Sequence, residues 1–342
     1  MSDLLVFDYD TLLYPVGFAT ETRYLKVTHK ASGREKTFKN RTEFWGVGKK
    51  IGGWLEGLNQ ERAKDGLNTF SRDEFIVEDV QVAGPLENTL HSLKIGIQRT
   101  LDHLGSKEYL GYIGEGESFR LGRSTLMKYK GNRDNALRPL QKEEMIDYLI
   151  SHHNGKGVRS LEADDWVNIT SIAEGGIAIS NDKDTLGCPT RSYNPSKPEN
   201  GVIDGKCLGE LFKNFRTDSK GNEKFKDVKG FGRKFFYFQV LAGDPVDNYK
   251  PNCMSDVEFG DVSAYEALEH CKTDQECFKA IADVYKRLYP EEKVVKGWRG
   301  EDITINWMYV LNEMWDMARM LRSEDDFVTA DKVFKPLGLW ED

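Results

Sequence analysis

The chain repeats one pattern three times: a short apolar run followed by acids. Residues 4–7 (LLVF) lead to Asp8 and Asp10, residues 109–113 (YLGYI) to Glu115 and Glu117, and residues 177–179 (IAI) to Asp182 and Asp184. Unbroken apolar runs of this length suit strands buried on both faces of a parallel sheet. Acids past their carboxyl ends face the crevice in which open α/β sheets bind ligands. Helical patterns lie between these runs. Leu90, Leu93, Ile97, Leu101 and Leu104 make one apolar face over residues 86–104, and Gly105 closes that helix. Residues 163–174 form a helical run stopped by Gly175 and Gly176, and Pro139, Glu143 and Glu144 open a helix that runs to about His152. Further on, residues 235–242 predict an apolar helix ending at Gly243, and residues 264–289 predict one or two helices. Residues 303–321 predict an amphipathic helix with Ile305, Met308, Leu311, Met314, Trp315, Ala318 and Leu321 as its core face. The tail is expected to pack back through Phe334, Leu337 and Trp340.

Other stretches carry the two-residue period of strands or none at all. Residues 23–44 predict a β-hairpin about Ala31-Ser32-Gly33, and residues 75–82 a further strand. Residues 154–159 read as a glycine-rich connection, residues 202–203 as a short strand, and residues 217–232 as a mobile basic loop. The fold class expected from these elements is α/β: a twisted, mostly parallel central sheet flanked by helices, with a C-terminal helical region.

Composition narrows the function. With 342 residues, 30% of them charged and 11% aromatic, the chain can bury a large core in one or two domains. No apolar run approaches the roughly 20 residues of a membrane span. The N-terminus, MSDLLVFDYD, has acids and no basic region, so a signal peptide is not expected. Five cysteines without a CxxC pair point to a reducing cytoplasm, and neither they nor the six histidines show zinc spacing. The formal net charge of −8 hides two basic stretches. Residues 118–142 carry Arg120, Arg123, Lys128, Lys130, Arg133, Arg138 and Lys142 against Asp134 alone, and residues 213–234 carry eight bases against three acids. Phosphates can be gripped locally by a protein that is acidic overall. Tyr129 and the apolar residues among the first group of bases suit a segment that stacks on bases.

The acids form three groups: Glu162, Asp164 and Asp165, then Asp182 and Asp184, then Asp244 and Asp247. Taken singly, the first group also suits a helix N-terminus, and the other two suit turns. Gathered at one sheet edge they would repel one another unless cations neutralised them, and hard oxygen donors of this kind suit Mg²⁺ or Mn²⁺.

In order along the chain, Asp8, YKGNR at residues 129–133, EADD at 162–165, SNDKD at 180–184 and GDPVDN at 243–248 resemble the motifs of the 5′-nuclease superfamily. That superfamily holds flap endonucleases, the 5′-nuclease domains of bacterial DNA polymerases and bacteriophage 5′→3′ exonucleases. FDYDTL, YKGNR and the helix with MARMLR are most similar to the exonucleases of T-odd-type phages. The resemblance implies a PIN-like metal-binding core over residues 1–250, with an insertion at about 23–85, a basic arch-like segment at about 118–142, and a helical region over 251–342. It implies two Mg²⁺ ions, with Mn²⁺ able to substitute. One would be held by Asp8, Glu115 (with Glu117 as a rival), Glu162 and Asp164. The other would share Asp164 and add Asp182, Asp184, Asp244 and Asp247, with Asp165 acting through a water. Lys130 and Arg133 would stand close to the scissile phosphate, and Arg120, Arg123, Lys128 and Tyr129 would join them in binding nucleic acid. The implied activity is 5′→3′ exonuclease or 5′-flap cleavage of double-stranded DNA, with removal of RNA primers from RNA–DNA hybrids, leaving 5′-phosphates. The implied setting is the cytoplasm of a phage-infected bacterium, alongside replication proteins. Two departures from the family pattern stand out: a Glu where the second strand usually ends in Asp, and no glycine-rich helical hairpin after Asn248. The alternatives are a PIN-type ribonuclease, a non-catalytic nucleic-acid-binding module on the same scaffold, and a phosphatase, because FDYDTL also resembles the opening motif of haloacid dehalogenases. In that last case Asp8 would be the nucleophile and Asp10 the acid/base.

Overall fold

A computed structural model describes residues 3–47, 52–134 and 136–340. Expectations touching residues 1–2, 48–51, 135 and 341–342 lie outside the described residues at those positions. The chain opens with strand β1 (Leu5–Asp8) and helix α1 (Asp10–Ala19). Next come β2 (Glu21–His29), β3 (Glu35–Phe38), α2 (Arg41–Trp45), α3 (Trp54–Lys64), β4 (Phe75–Ala83) and α4 (Leu86–Leu104). The hairpin and the extra strand expected over residues 23–82 are therefore present. They form one antiparallel sheet in the order β3-β2-β4, with Leu25 opposite both Phe38 and Asp79.

Two compact units divide the chain. One comprises residues 13–94 and 138–145, and the other comprises residues 1–12, 95–137 and 146–342. The smaller unit has its own core of Leu25, Val27, Phe38, Phe44 and Leu55. Aromatic rings fill it: Phe44 lies 4.2 Å from Trp45 and 5.4 Å from Phe75 between ring centres. Lys36 caps the cluster, with Nζ 4.5 Å from the centre of the Trp54 ring.

The larger unit holds the central sheet. Its strands are β1, β5 (Tyr109–Ser118), β6 (Gly155–Ser160), β7 (Ile177–Ile179), β8 (Arg191–Tyr193) and β9 (Ile203–Asp204), in the order β6-β5-β1-β7-β8-β9. All neighbours run parallel except β9, which is antiparallel at the edge. The fold is thus α/β with a mostly parallel central sheet, as the apolar runs predict. β1 lies between β5 and β7 with all four residues buried. Alternation along it sends Val6 toward helix α7 (Ala163–Ala173), where Val167 and Ala178 complete a small core.

Three expectations are corrected. The glycine-rich residues 154–159 form a strand, β6, which pairs with β5 from Gly111 opposite Gly155 onward. A Cβ at Gly157 would lie 2.1 Å from Glu115 Oε1, so glycine there makes room for the neighbouring strand's side chain. β5 runs on to Ser118, which places Glu115 and Glu117 within the strand rather than beyond it. The basic loop at residues 217–232 belongs to an ordered antiparallel hairpin, β10 (Glu210–Thr217) and β11 (Glu223–Phe231), with a bulge at Asn214/Phe215.

Helices α5 (Phe119–Arg123) and α6 (Lys142–His152) precede α7, and α8 (Arg233–Ala242), α9 (Asp261–Leu268) and α10 (Asp274–Leu288) follow the hairpin. A second hairpin, β12 (Lys293–Lys296) and β13 (Asp302–Ile305), comes before α11 (Trp307–Ala318) and α12 (Ala330–Phe334). The region after residue 250 is therefore helical with one β-hairpin, and the long helix expected from residue 303 begins only at Trp307. Its face is buried as expected, with Leu311, Met314 and Trp315 in one core that includes Phe236 and Tyr285. Phe334 and Trp340 pack there, whereas Leu337 is exposed at the turn after α12. No described helix is long and apolar enough to cross a membrane, and all five cysteines are unbridged.

Gly111 gives the fold a test. The Tyr9 ring covers it, leaving 2.2 Å to a Cβ built there, and the Tyr9 hydroxyl donates to the buried His153 carbonyl (2.6 Å). We expect Gly111→Ala to cost about 1–3 kcal/mol by overpacking. Urea unfolding should show a lowered midpoint at unchanged slope, and an unchanged midpoint would mean that the ring yields freely.

Candidate functional site

Asp8, Asp182 and Asp184 lie at the carboxyl edge of β1 and β7. Asp8 ends β1 with 4% exposure, and its Oδ2 accepts from Ser180 Oγ at 2.9 Å. Ser180 Oγ in turn accepts from the Asp182 N–H (3.0 Å), and Asp182 Oδ1 accepts from the Asp184 N–H (3.0 Å). One serine thus fastens the end of β7 to the end of β1. Burial, then the charge of Asp10, then that of Asp182 push the Asp8 carboxyl up to about 8. Asp184 is also held well above the usual carboxylate range, by burial and by Asp182. Its Oδ1 accepts from Gln239 of α8.

The second group sits at the start of α7. Glu162 is the N-cap residue, and Asp164 and Asp165 lie in the first turn. Carboxylate oxygens of all three lie within 4.8 Å of one another. Their environments differ. Asp165 is fully buried, and the Arg120 guanidinium binds it twice, at 2.7 and 2.9 Å. Arg120 also binds Glu162 and donates to the Arg319 carbonyl (2.7 Å), while the Leu321 N–H donates to Asp165 Oδ1 (3.0 Å). Burial works to raise Glu162, but the charges of Arg120 and Lys130 outweigh it and hold the carboxyl at about 2. Asp164 accepts the Asp165 N–H (2.7 Å) and binds no cation among the described residues. Burial, Glu162 and Asp165 lift it well above its ordinary value.

The third group closes the site. Residues 128–133 dock against the turn at 245–248. The Lys130 N–H donates to the Asp247 carbonyl (2.9 Å), Asn132 Nδ2 to the Pro245 carbonyl (2.8 Å), and Asn248 Nδ2 to the Lys128 carbonyl (2.8 Å). Lys130 adopts a left-handed backbone (φ 54°) to make this turn. Lys130 Nζ binds Glu162, and Arg133 binds Asp247 Oδ1 at 2.6 Å. Asp244 is buried and paired with Lys183 at 2.7 Å. Burial raises Asp247 despite Lys130 nearby.

Three expected roles do not fit these positions. Tyr129 is buried, with its hydroxyl between Asp247 Oδ2 (2.9 Å) and Glu162 Oε2 (3.1 Å), so no face of the ring is open to a base. Arg120 is 1% exposed and wholly engaged inside the protein, so it is not a surface phosphate contact. Glu115 faces Arg159 (3.5 Å), Glu117 is exposed, and both stand within β5. Of the remaining bases, Arg123 pairs with Asp316 (2.9 Å) and Lys128 with Asp134 (2.5 Å). Sequence reasoning missed Ser180, Lys183 and Gln239. The first two stand in the SNDKD motif, where Ser180 opens the run of acids and Lys183 lies between two of them, and Gln239 carries no such signal.

Arg120 makes the arrangement testable. Removing it leaves Asp165 buried without its counter-charge, so Arg120→Ala should cost about 3–5 kcal/mol in EDTA by urea unfolding. Adding Asp165→Leu should recover part of that loss, because the stranded charge goes with it. A cost below about 1 kcal/mol for Arg120→Ala would show that the acids are held by something else.

No protein-family profile matches the chain, and no curated protein matches its sequence. Solved structures do. T5 5′-exonuclease with bound zinc ions is 14% identical over 92% of this chain and 86% of its own, with a TM-score of 0.43. A mutant of T5 5′-exonuclease is 12% identical over 100% of both chains, with a TM-score of 0.40. A bacteriophage T5 flap endonuclease in complex with DNA and metal ions is 14% identical over 92% of this chain and 98% of its own, with a TM-score of 0.35. The chain is similar to these 5′-nucleases over most of its length.

Proposed function

We propose that the larger unit is a divalent-metal-dependent 5′-nuclease acting on DNA, as a 5′→3′ exonuclease or flap endonuclease that also removes RNA from RNA–DNA hybrids. The observation that carries this reading is the gathering of Glu162, Asp164 and Asp165, whose carboxylate oxygens lie within 4.8 Å of one another, together with the hydrogen-bonded chain Asp8–Ser180–Asp182–Asp184 at the ends of β1 and β7. Acids so placed are stabilised as carboxylates by a bound cation. The donors are all oxygens, which fits Mg²⁺ or Mn²⁺ better than softer metals. Asp8, Glu162, Asp164, Asp182, Asp184, Asp244 and Asp247 would hold two such ions. When bound, the ions would supply Lewis-acid polarisation of the phosphodiester and a water acidic enough to attack near neutral pH.

The protein's own groups do the positioning. Asp165, with both oxygens taken by Arg120 and the Leu321 N–H, orients the start of α7 rather than donating to an ion. Glu115 is left out of the ligand set, since its carboxylate turns toward Arg159. Tyr129 holds Glu162 and Asp247 through its hydroxyl. Lys130 and Arg133, now paired with Glu162 and Asp247, can exchange those carboxylates for phosphate oxygens as a strand enters. Arg133 is nearly half exposed, at 45%, and is open to such an exchange. The dehalogenase-type alternative needs Asp8 ionised and accessible as a nucleophile. It gives no role to the acids at 162–165, 182–184 and 244–247, which the metal reading uses together.

Cleavage of 5′-labelled blunt and 5′-flap DNA duplexes, with Mg²⁺ and with EDTA, tests the reading. The wild type should release short 5′ products only with Mg²⁺. Asp182→Ala should abolish release while DNA binding persists, and Lys130→Ala should slow it on the order of 100-fold. Binding of both duplexes without cleavage by the wild type would make the protein a non-catalytic nucleic-acid binder. Cleavage confined to RNA strands would make it a PIN-type ribonuclease.

A further inference from the structure

The cations expected to grip nucleic acid are mostly occupied. Arg120, Arg123, Lys128, Lys130 and Arg133 each have a carboxylate partner. The β10–β11 hairpin differs. Lys213, Lys224 and Lys229 are paired there, but Arg216, Lys220 and Lys226 are exposed and carry no ion pair among the described residues. Two phenylalanines stand in the open beside them, Phe212 at 52% and Phe215 at 50% exposure. Val228 is buried and Phe225 half-buried against the helical core, which anchors the ribbon and leaves its other side free.

Register defines that free side. Phe212 opposes Lys229, and Arg216 opposes Lys224. With a two-residue period along β10, Phe212 and Arg216 share a face. Phe215 lies on the opposite face, the one that carries Val228 and Phe225 toward the core, and opposes Phe225 at 6.4 Å between ring centres. The Phe212 ring stands on the free face, where its exposure costs solubility. A ring beside unpaired cations matches a polymer of anionic phosphates and flat bases.

We propose that the β10–β11 hairpin is a contact for an unpaired nucleic-acid strand, with Phe212 stacking on a base and Arg216, Lys220 and Lys226 holding phosphates. An unpaired strand is the occupant because a phenyl ring needs a free base face. In a duplex each base face is already covered by its neighbours, whereas a single strand or flap can offer one. This assignment rests on nucleic acid being the substrate of the larger unit. It adds a site separate from the acids, where the single-stranded part of a branched substrate would be held.

The test is fluorescence anisotropy in EDTA, where binding is read without cleavage, using labelled oligo-dT and a labelled blunt DNA duplex. Phe212→Ser should weaken oligo-dT binding about tenfold and change duplex binding less than about twofold. Arg216→Ser/Lys220→Ser/Lys226→Ser should reduce the magnitude of the slope of log affinity against log salt for oligo-dT by about 2. All four side chains are exposed, so both variants should melt with the wild type, and a melting scan checks this. Unchanged oligo-dT binding in both variants would overturn the proposal. An equal loss on oligo-dT and duplex would overturn its claim to an unpaired strand. Cleavage of the blunt duplex in Mg²⁺ by the Phe variant, at the wild-type rate, separates the two ideas: it persists if the nuclease reading holds, whatever the hairpin does.

Discussion

A guanidinium with almost no access to water must be satisfied entirely by protein, and Arg120 is in that position. Its fork closes on Asp165, reaches Glu162, and ends on the carbonyl of Arg319. Residues far apart in sequence are thereby joined at one ion. The start of α7 is tied to the segment after α11, and a second bond from Asn168 Nδ2 to the Leu321 carbonyl (2.6 Å) repeats the tie one turn along. Burying such a pair is worth little as net stability, but breaking it is costly, so its effect is to fix geometry. The geometry it fixes is that of the acids. Glu162 is held ionised by Arg120 and Lys130, while Asp164, two residues on and bonded to no cation among the described residues, is lifted. Carboxyls so close in sequence and so different in environment are what a site needs if some of its charge is neutralised by the protein and the rest awaits a cation.

The sheet was legible because its central strands are buried on both faces. LLVF and IAI have no polar alternation, and nothing but a parallel interior strand fits them well. α4 matched its predicted bounds because a complete apolar stripe ends in a glycine. The failures share one cause, which is that tertiary context overrode local pattern. β6 has no apolar run; it exists because β5 lies alongside and glycines let the two strands approach. The β10–β11 hairpin looked like a loop because its exposed face is charged, but Val228 and Phe225 hold it to the helical core.

For the site, the acids were legible as groups, since motif order places each at the end of an element. What they touch was not. Arginine is rarely buried, so Arg120 read as a surface base, and its burial follows from Asp165, a contact no spacing reveals. Tyr129 read as a stacking residue for the same reason. Among bases it resembles a nucleic-acid contact, yet its hydroxyl turns inward to two carboxylates.

These placements change what the charge distribution means. A chain with formal net charge −8 and a cluster of acids at its centre repels a polyanion at long range. Paired cations around the acids do little against that repulsion, because Lys130 and Arg133 are neutralised until something displaces their carboxylates. Attraction at a distance must come from cations without partners, and on the described surface of the hairpin those are Arg216, Lys220 and Lys226. Divalent ions at the acids would act in the same direction by cancelling the central charge. In the proposed nuclease, encounter and chemistry would then draw on different residues. Unpaired cations at the hairpin would capture the strand, and paired cations at the acids would be released to it only once a phosphate arrives to compete. A strongly salt-dependent capture step and a weakly salt-dependent chemical step follow from that division, because screening acts on exposed charges and much less on buried ones.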